Sequence, residues 1–435
     1  MGSAPEALSR TFAAYLERVK KENKLIPQDF VNMMEPQMRA AGYRVPKQMG
    51  ERPEIYVTRD DAAGDFVLFS PFLRELRRIY PAAYIMLSVS GRSADLARCC
   101  PYVDALEVHP MQFNPEKPAE MLEAQWAYAD ERLLSHHFDM AFGGRLGLRS
   151  PSLPQMYLSG AKRRVGFTQD RQGPGGKIIH VGWDCFLTKP VPLPNIAVHD
   201  VDRNLWLLET LLQLPIADRS LEVWYLQQDR EIALRLLHPL QEAGMKRFYT
   251  VVPTASLPRK LWPVERYMEL LKQILEEEKD VGLAILGGPR DQELCSQLAA
   301  AFGQRAVMLA GKANFRVTAA ILENASLYIG NDTGALHIAA AQRKPILSVS
   351  CFPSSLKLRS MSVPIRFAPY GVPSVICCPA EARDACAEGK EVTGYGCQEK
   401  KPHCILGVKT ETVLRGYRVL QKMLQEHKIQ SVFIK

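Results

Sequence analysis

The segment Leu327-Tyr-Ile-Gly-Asn-Asp-Thr-Gly-Ala-Leu-His-Ile-Ala-Ala-Ala341 concentrates more chemistry than any other stretch of the chain. An apolar strand ends at Ile329 and a small-residue helix begins near Gly334, so the polar turn Asn331-Asp332-Thr333 lies at the carboxyl edge of a sheet. Backbone N–H groups at a helix start lack intrahelical partners and carry partial positive charge, which suits a phosphate. Gly334 lets a ligand approach the backbone, and His337 follows Thr333 by one helical turn toward the same mouth. Capping by Asp332 or Thr333 alone is the simpler account, but it requires neither Gly334 nor His337. Asp-Thr-Gly also occurs in aspartic proteases, which pair two such loops; here there is one copy, opening a helix.

Asp65 stands where the first strand turns into a helix, a position for a cap or for a carboxylate that accepts a proton. Asp200-Val-Asp202 is formally a D-x-D motif, but it precedes a helix over 203–214, where acids complement the helix dipole. Cys377, Cys378, Cys386, Cys397 and Cys404 gather near the end, with seven, ten and six residues separating the last four. They lack paired C-x-x-C knuckles and read as packed thiols rather than a metal site. There is no P-loop and no G-x-G-x-x-G between strand and helix; the cluster Gly173-Pro-Gly-Gly176 falls in a loop. That disfavours a simple kinase or a standard NAD dehydrogenase.

The elements that must hold these residues alternate. Short apolar runs at 55–58, 84–89, 105–108 and 140–142 predict strands, with a helix placing Phe66, Phe69, Leu73, Leu76 and Tyr80 on one face and another over 205–214. The pattern restarts with strand 248–252, helix 263–278, strand 281–286, helix 290–302, strand 307–309, helix 315–324, strand 326–329, helix 334–342 and strand 346–349. Such alternation implies two Rossmann-like parallel-sheet domains, with ligand expected in the cleft between them. Residues 1–50 differ: Leu8, Phe12, Tyr15, Leu16 and Val19, then Phe30, Met33, Met34 and Met38, recur at helical spacing. Mixed charges on the other face favour packing on the main body over a membrane-surface element.

At 435 residues with 47% hydrophobic and 23% charged residues, the chain is an ordinary globular protein of more than one domain. The net charge of +8 fits anionic partners but is too diffuse to mark a nucleic-acid binder. No apolar run spans a bilayer and no secretory signal opens the chain, so with ten cysteines and no disulfide framework a reducing, cytoplasmic setting is expected.

Asn331-Asp-Thr-Gly-Ala-Leu-His-Ile-Ala-Ala-Ala341 resembles the signature of glycosyltransferase family 9, the ADP-heptose:lipopolysaccharide heptosyltransferases. The resemblance extends over residues 54 to about 425. It takes in Arg59-Asp-Asp-Ala-Ala-Gly-Asp65 with Ser70-Pro71 and Leu76–Pro81, then Phe138-Asp139 through Gly160–Phe167, Pro253–Pro263 and Leu286–Asp291. It implies a GT-B fold, inversion at the anomeric carbon, no obligatory metal, and an ADP-sugar donor. Asp65 would be the general base, Lys260 the cation on the donor pyrophosphate, Thr254 and Ser256 hydroxyl donors, and Asp291 or Glu293 the ribose-binding acid. Asn331, Asp332, Thr333, Gly334 and His337 would complete the donor site. Arg145, Arg149, Arg163 and Arg164, beside Lys162, fall on the acceptor side, where a phosphate-bearing acceptor needs a basic rim.

The expected organisation is a helical extension over 1–50, an acceptor-side domain over 51–240, a donor domain over 241–410 containing the cysteine-rich loop 377–404, and a helix and tail over 411–435. The expected reaction moves a heptose to the lipopolysaccharide inner core, with peripheral contact at the inner face of the plasma membrane. The alternatives are another nucleotide-sugar enzyme on this fold, a hexosyltransferase or sugar epimerase, and a non-catalytic binding protein. Intact Asp65, Lys260, Asp332 and His337 count against the last.

Overall fold

Residues 4–44, 50–109, 116–143, 152–172, 178–179, 181–192, 199–354, 364–381 and 401–435 are described by the computed structural model of the chain. The chain forms two compact units: Met1–Ala62 with Phe72–Pro194 and Leu205–Ile216, and Ala63–Pro71 with Asn195–Asn204 and Ala217–Lys435.

The first unit is built on β1 (Glu54–Arg59), β2 (Tyr84–Ser90), β3 (Ala105–His109), β4 (Met140–Phe142), β5 (Arg163–Phe167) and β6 (Lys189–Val191). They form one parallel sheet in the order β3-β2-β1-β4-β5-β6, with Ile55 registered between Ile85 and Met140. Ile55, Tyr56 and Val57 are all fully buried, as a strand covered on both faces demands. Part of that cover is the N-terminal segment. Helices α1 (Glu6–Glu22) and α2 (Pro27–Ala40) bury Leu8, Phe12, Tyr15, Leu16, Val19, Phe30, Met34 and Met38 in one cluster with Phe138, Leu153, Tyr157 and Phe186. Phe12 stacks on Trp126 at 4.3 Å, and Arg18 pairs with Glu22 and Asp29 on the outer face. Residues 4–44 are therefore integral to this unit's core. A short antiparallel pair, Arg171–Gln172 with Ile178–Ile179, lies outside the sheet.

The second unit repeats the plan with β7 (Arg247–Val252), β8 (Val281–Ile285), β9 (Ala306–Met308), β10 (Leu327–Asn331), β11 (Ile346–Val349), β12 (Ser374–Cys377) and β13 (Ser431–Ile434). All seven are parallel, in the order β9-β8-β7-β10-β11-β12-β13. The helices that bear on the site are α3 (Ala63–Val67), α4 (Val264–Glu277), α5 (Phe315–Asn324) and α6 (Gly334–Ala341). The single helix expected through Phe66–Tyr80 is broken after Val67 and resumes at Ser70. Pro71 has no N–H for the Val67 carbonyl, and the Ser70 hydroxyl donates to it instead at 2.7 Å. Among the described residues no helix is long and apolar enough to cross a membrane.

Candidate active site

In both sheets the strand order reverses between the first and fourth strands, and in such sheets ligands bind beyond the carboxyl ends at that switch point. In the second unit the switch falls between β7 and β10. The loop leaving β7 carries Lys260, in a 3-10 turn over Pro258–Lys260, and the turn leaving β10 carries Asp332 and Thr333. The Lys260 ammonium donates to Asp332 Oδ2 at 2.8 Å and to the Asp332 carbonyl at 3.4 Å, and lies 5.3 Å from the Phe352 ring centre. Their side chains are only 19% and 13% exposed. Burial alone would pull the Lys260 pKa down, yet Asp332, with smaller contributions from Cys351 and Asp65, holds it above its ordinary value. Burial likewise works to raise Asp332, and the Lys260 charge more than offsets it, so the carboxyl titrates below its usual range.

Thr333, in extended backbone (φ −140°), precedes α6, and its side chain makes no capping hydrogen bond to that helix. Two features expected at this turn are placed differently. Strand β10 runs on to Asn331, which is fully buried. Its amide donates to the Pro253 carbonyl at 2.8 Å, and its side-chain oxygen accepts from Tyr267 at 2.9 Å and from the Trp262 N–H at 3.4 Å. These bonds make Asn331 a tie from the β7 loop and α4 to β10, fixing the Lys260 loop beside the turn. His337 is also buried, at 5% exposure. Burial pushes its imidazole down to about 4, against the opposing pull of Asp332, so the ring is neutral at pH 7.

Asp65 enters the same unit from another part of the chain. It is half-buried in the short helix α3, whose Gly64 touches Gly334 and the His337 ring at the start of α6. Its charge acts on Lys260. The carboxylate, the ammonium and the uncapped helix start thus converge, which is the set that proton abstraction and stabilisation of a departing anion require.

Beyond β8 lie Gly287 and Gly288, next to the β7 loop. Thr254, 6% exposed, sits in that loop, and Ser256 is exposed. Asp291 Oδ2 accepts from the Gly288 N–H at 2.8 Å, so this carboxylate shapes its own loop, whereas Glu293 is exposed. The pairing within the loop was not readable from spacing.

The basic rim is placed otherwise than expected. Arg163 and Arg164 open β5, at the edge of the sheet opposite the one that carries ligands. Arg164 is 5% exposed and donates to the Phe186 and Ala161 carbonyls, both at 2.7 Å, while Lys162 pairs with Asp139 at 2.8 Å. Arg92, exposed just past the carboxyl end of β2, went unremarked in the sequence because its edge is set by the sheet order. Arg145, Arg149, Gly173–Gly176, Cys386 and Cys397 lie outside the described residues. Cys377, Cys378 and Cys404 are buried, and among the described residues no group of three or more His, Cys, Asp or Glu side chains is arranged to hold a metal. Asp200 and Asp202 begin a helix and bind side chains: Asp200 pairs with Arg366 at 2.6 Å, and Asp202 with Arg219 and the Tyr370 hydroxyl, both at 3.0 Å.

Two units with Rossmann strand order, one bearing an anion-ready switch point beside a carboxylate, describe the GT-B class of glycosyltransferases. The chain belongs to glycosyltransferase family 9: the model for Glycosyltransferase family 9 (heptosyltransferase) matches residues 129–391. It is 27% identical over 172 residues to lipopolysaccharide heptosyltransferase 3 of Escherichia coli K12, covering 39% of this chain and 48% of that one. Against another lipopolysaccharide heptosyltransferase 3 of Escherichia coli it is 24% identical over 290 residues, 66% of this chain and 80% of that one. The chain thus spans about half the length of the first of these relatives. Among solved structures, the family 9 glycosyl transferase of Veillonella parvula superposes with a TM-score of 0.62 at 20% identity, covering 86% of this chain and 99% of that one. The ADP-heptose heptosyltransferase II of Escherichia coli superposes with a TM-score of 0.59 at 18% identity, covering 86% and 100%. Another Escherichia coli heptosyltransferase, solved with ADP-2-deoxy-2-fluoro heptose, gives a TM-score of 0.54 at 16% identity, covering 86% and 100%.

Proposed function

We propose that this chain transfers a heptose from ADP-heptose to a sugar of the lipopolysaccharide inner core, inverting the anomeric configuration in one displacement. The observation that carries this reading is the convergence of Asp65, Lys260 and the uncapped start of α6 within one unit. An acceptor hydroxyl is a poor nucleophile at neutral pH, and Asp65 takes its proton as the new bond forms. The diphosphate leaves toward Lys260 and the first amides of α6, which hold the charge that develops on it. Thr254 and Ser256 line the loop that receives the diphosphate. Glu293, whose carboxylate is exposed, is the better candidate for the ribose hydroxyls, Asp291 being engaged by Gly288. Arg92, exposed at the carboxyl edge of the first sheet, is the proposed contact for an anionic acceptor. In this scheme the positive potential on the diphosphate comes from protein groups, so turnover persists in EDTA. The reaction is placed at the inner face of the plasma membrane, where such an acceptor is presented.

The donor is tested by thermal shift with ADP-, UDP-, GDP- and TDP-linked sugars. ADP-heptose is expected to raise the midpoint most, and to be consumed only when a heptose-accepting lipopolysaccharide is added. Consumption without acceptor would point to an epimerase, and preference for another base would overturn the donor assignment.

A further inference from the structure

We propose that Gly64 is a positioning residue for the transfer: by lacking a side chain it lets α3 rest directly on the start of α6, and this contact sets Asp65 in register with Lys260 and the phosphate-binding turn. The inference rests on the reading of Asp65 as the base. A Cβ at Gly64 would stand 2.8 Å from His337 Cδ2, 3.0 Å from Gly334 Cα and 3.6 Å from Gly334 N. A Cβ at Gly334 would in turn meet Gly64 N at 3.3 Å, Phe315 Cε1 at 3.7 Å and Ala63 Cβ at 3.8 Å. Each glycine faces the other's backbone.

Backbone conformation does not explain the requirement. Neither Gly64 nor Gly334 has a positive φ, and both lie in helices, where alanine is intrinsically preferred over glycine. The obstacle is what stands opposite. Gly334 Cα is main chain, and the His337 ring is buried with 5% exposure, so neither can swing aside as the end of an exposed side chain would. Relief has to come from α3 moving off α6, and Asp65 is the next residue. A general base works only within hydrogen-bond reach of the proton it takes, so a displacement of a fraction of an ångström to one ångström falls on the chemical step. Lys260 sits on a different segment, whose loop Asn331 ties to β10, so its donor contact is expected to stay in place.

The test is a double-mutant cycle with kcat measured on ADP-heptose and a lipopolysaccharide acceptor, and Kd for ADP measured by calorimetry. Gly64→Ala is expected to lower kcat by roughly 10–10²-fold while the Kd for ADP stays within about threefold of the parent. In an Asp65→Asn background the same substitution is expected to change kcat by less than about twofold, because the group it misplaces is already gone. Gly91→Ala, with no atom within 4 Å of its Cβ position, serves as the control and retains activity. Undiminished kcat in Gly64→Ala, or a loss that multiplies with that of Asp65→Asn, overturns the proposal. Should Gly64→Ala fail to fold, Ala63→Val, which adds bulk on α3 where the Ala63 Cβ faces Gly334, goes through the same cycle with the same criteria. Full kcat in Asp65→Asn itself would overturn the base assignment, an outcome distinct from failure of the positioning role alone.

Discussion

Lys260 and Asp332 neutralise one another at a place that water barely reaches, and that pairing shapes what each would do alone. On the proposed reading a diphosphate arriving at the switch point would compete with the Asp332 carboxylate for the ammonium, so the net worth of Lys260 would be that of one charge-assisted contact rather than of a bare buried cation. Lys260→Ala is expected to weaken ADP binding by about 1–3 kcal/mol, measured by calorimetry; unchanged affinity would remove Lys260 from the donor site. On the proposed reading Asp65 belongs to the chemical step instead. Asp65→Asn keeps shape and hydrogen-bonding capacity but abolishes the base, so kcat should fall about 10²–10⁴-fold with ADP affinity unaltered. Retention of most of the kcat would reduce Asp65 to a helix residue. Asn331 shows how far residue type can mislead. Its place in the 331–341 motif reads as ligand-facing, while its full burial and its bonds to Pro253, Tyr267 and Trp262 make it the joint behind the site.

At the scale of elements, α1 and α2 supply core to the first unit rather than an appendage to it. Phe30 is fully buried, with Tyr15 at 5.0 Å and Tyr157 at 5.7 Å between ring centres. Phe30→Ala is therefore expected to cost about 3–5 kcal/mol, seen as an earlier urea transition in tryptophan emission. ADP affinity, which the proposal assigns to the second unit, should not change; a loss of binding in step with stability would contradict that separation. The periodicities of α1, α2 and of β7 through β11 with their helices were legible because each element carries its own pattern. Strands β12 and β13 were not. Each is four residues long, and Ser374 pairs with Ser431 across a separation that leaves no local trace. The helix Gln227–Glu242 was hidden too, with Pro239 inside it, and the break before Ser70 turns on a single missing N–H at Pro71. The contact of α3 with α6 lies further out of reach, since only the folded backbone reveals that Gly64 and Gly334 need each other. Arg163 and Arg164 mark the same limit: a basic pair is visible in sequence, but the edge of the sheet on which it falls is not.

For the molecule as a whole, the buried histidines decide how stability answers to pH. His109 in the first unit is 2% exposed and His337 in the second 5%, and burial pushes each imidazole down to about 4. His199 shifts in the same direction, also through burial. At pH 7 these rings are neutral in the folded chain and mostly neutral in the unfolded one, so they take little from stability. As pH falls below about 6.5, the unfolded chain binds protons that the folded chain refuses at His109 and His337 until about pH 4, so stability declines throughout that window. At 1.36 kcal/mol per pH unit, His109 and His337 each remove about 2 kcal/mol by pH 5, and one loss falls on each unit. Unfolding near pH 5 should accordingly take up at least about two protons per chain, measurable by potentiometric titration across the urea transition. His109→Phe replaces the ring by one that cannot titrate, against the same Tyr128 neighbour that His109 meets edge-on at 6.4 Å. The variant is expected to take up about one proton fewer and to lose less stability between pH 7 and pH 5 than the parent chain. Equal uptake in the two proteins would mean that His109 titrates in the folded chain as it does in water, and that burial at the end of β3 does not exclude its charged form.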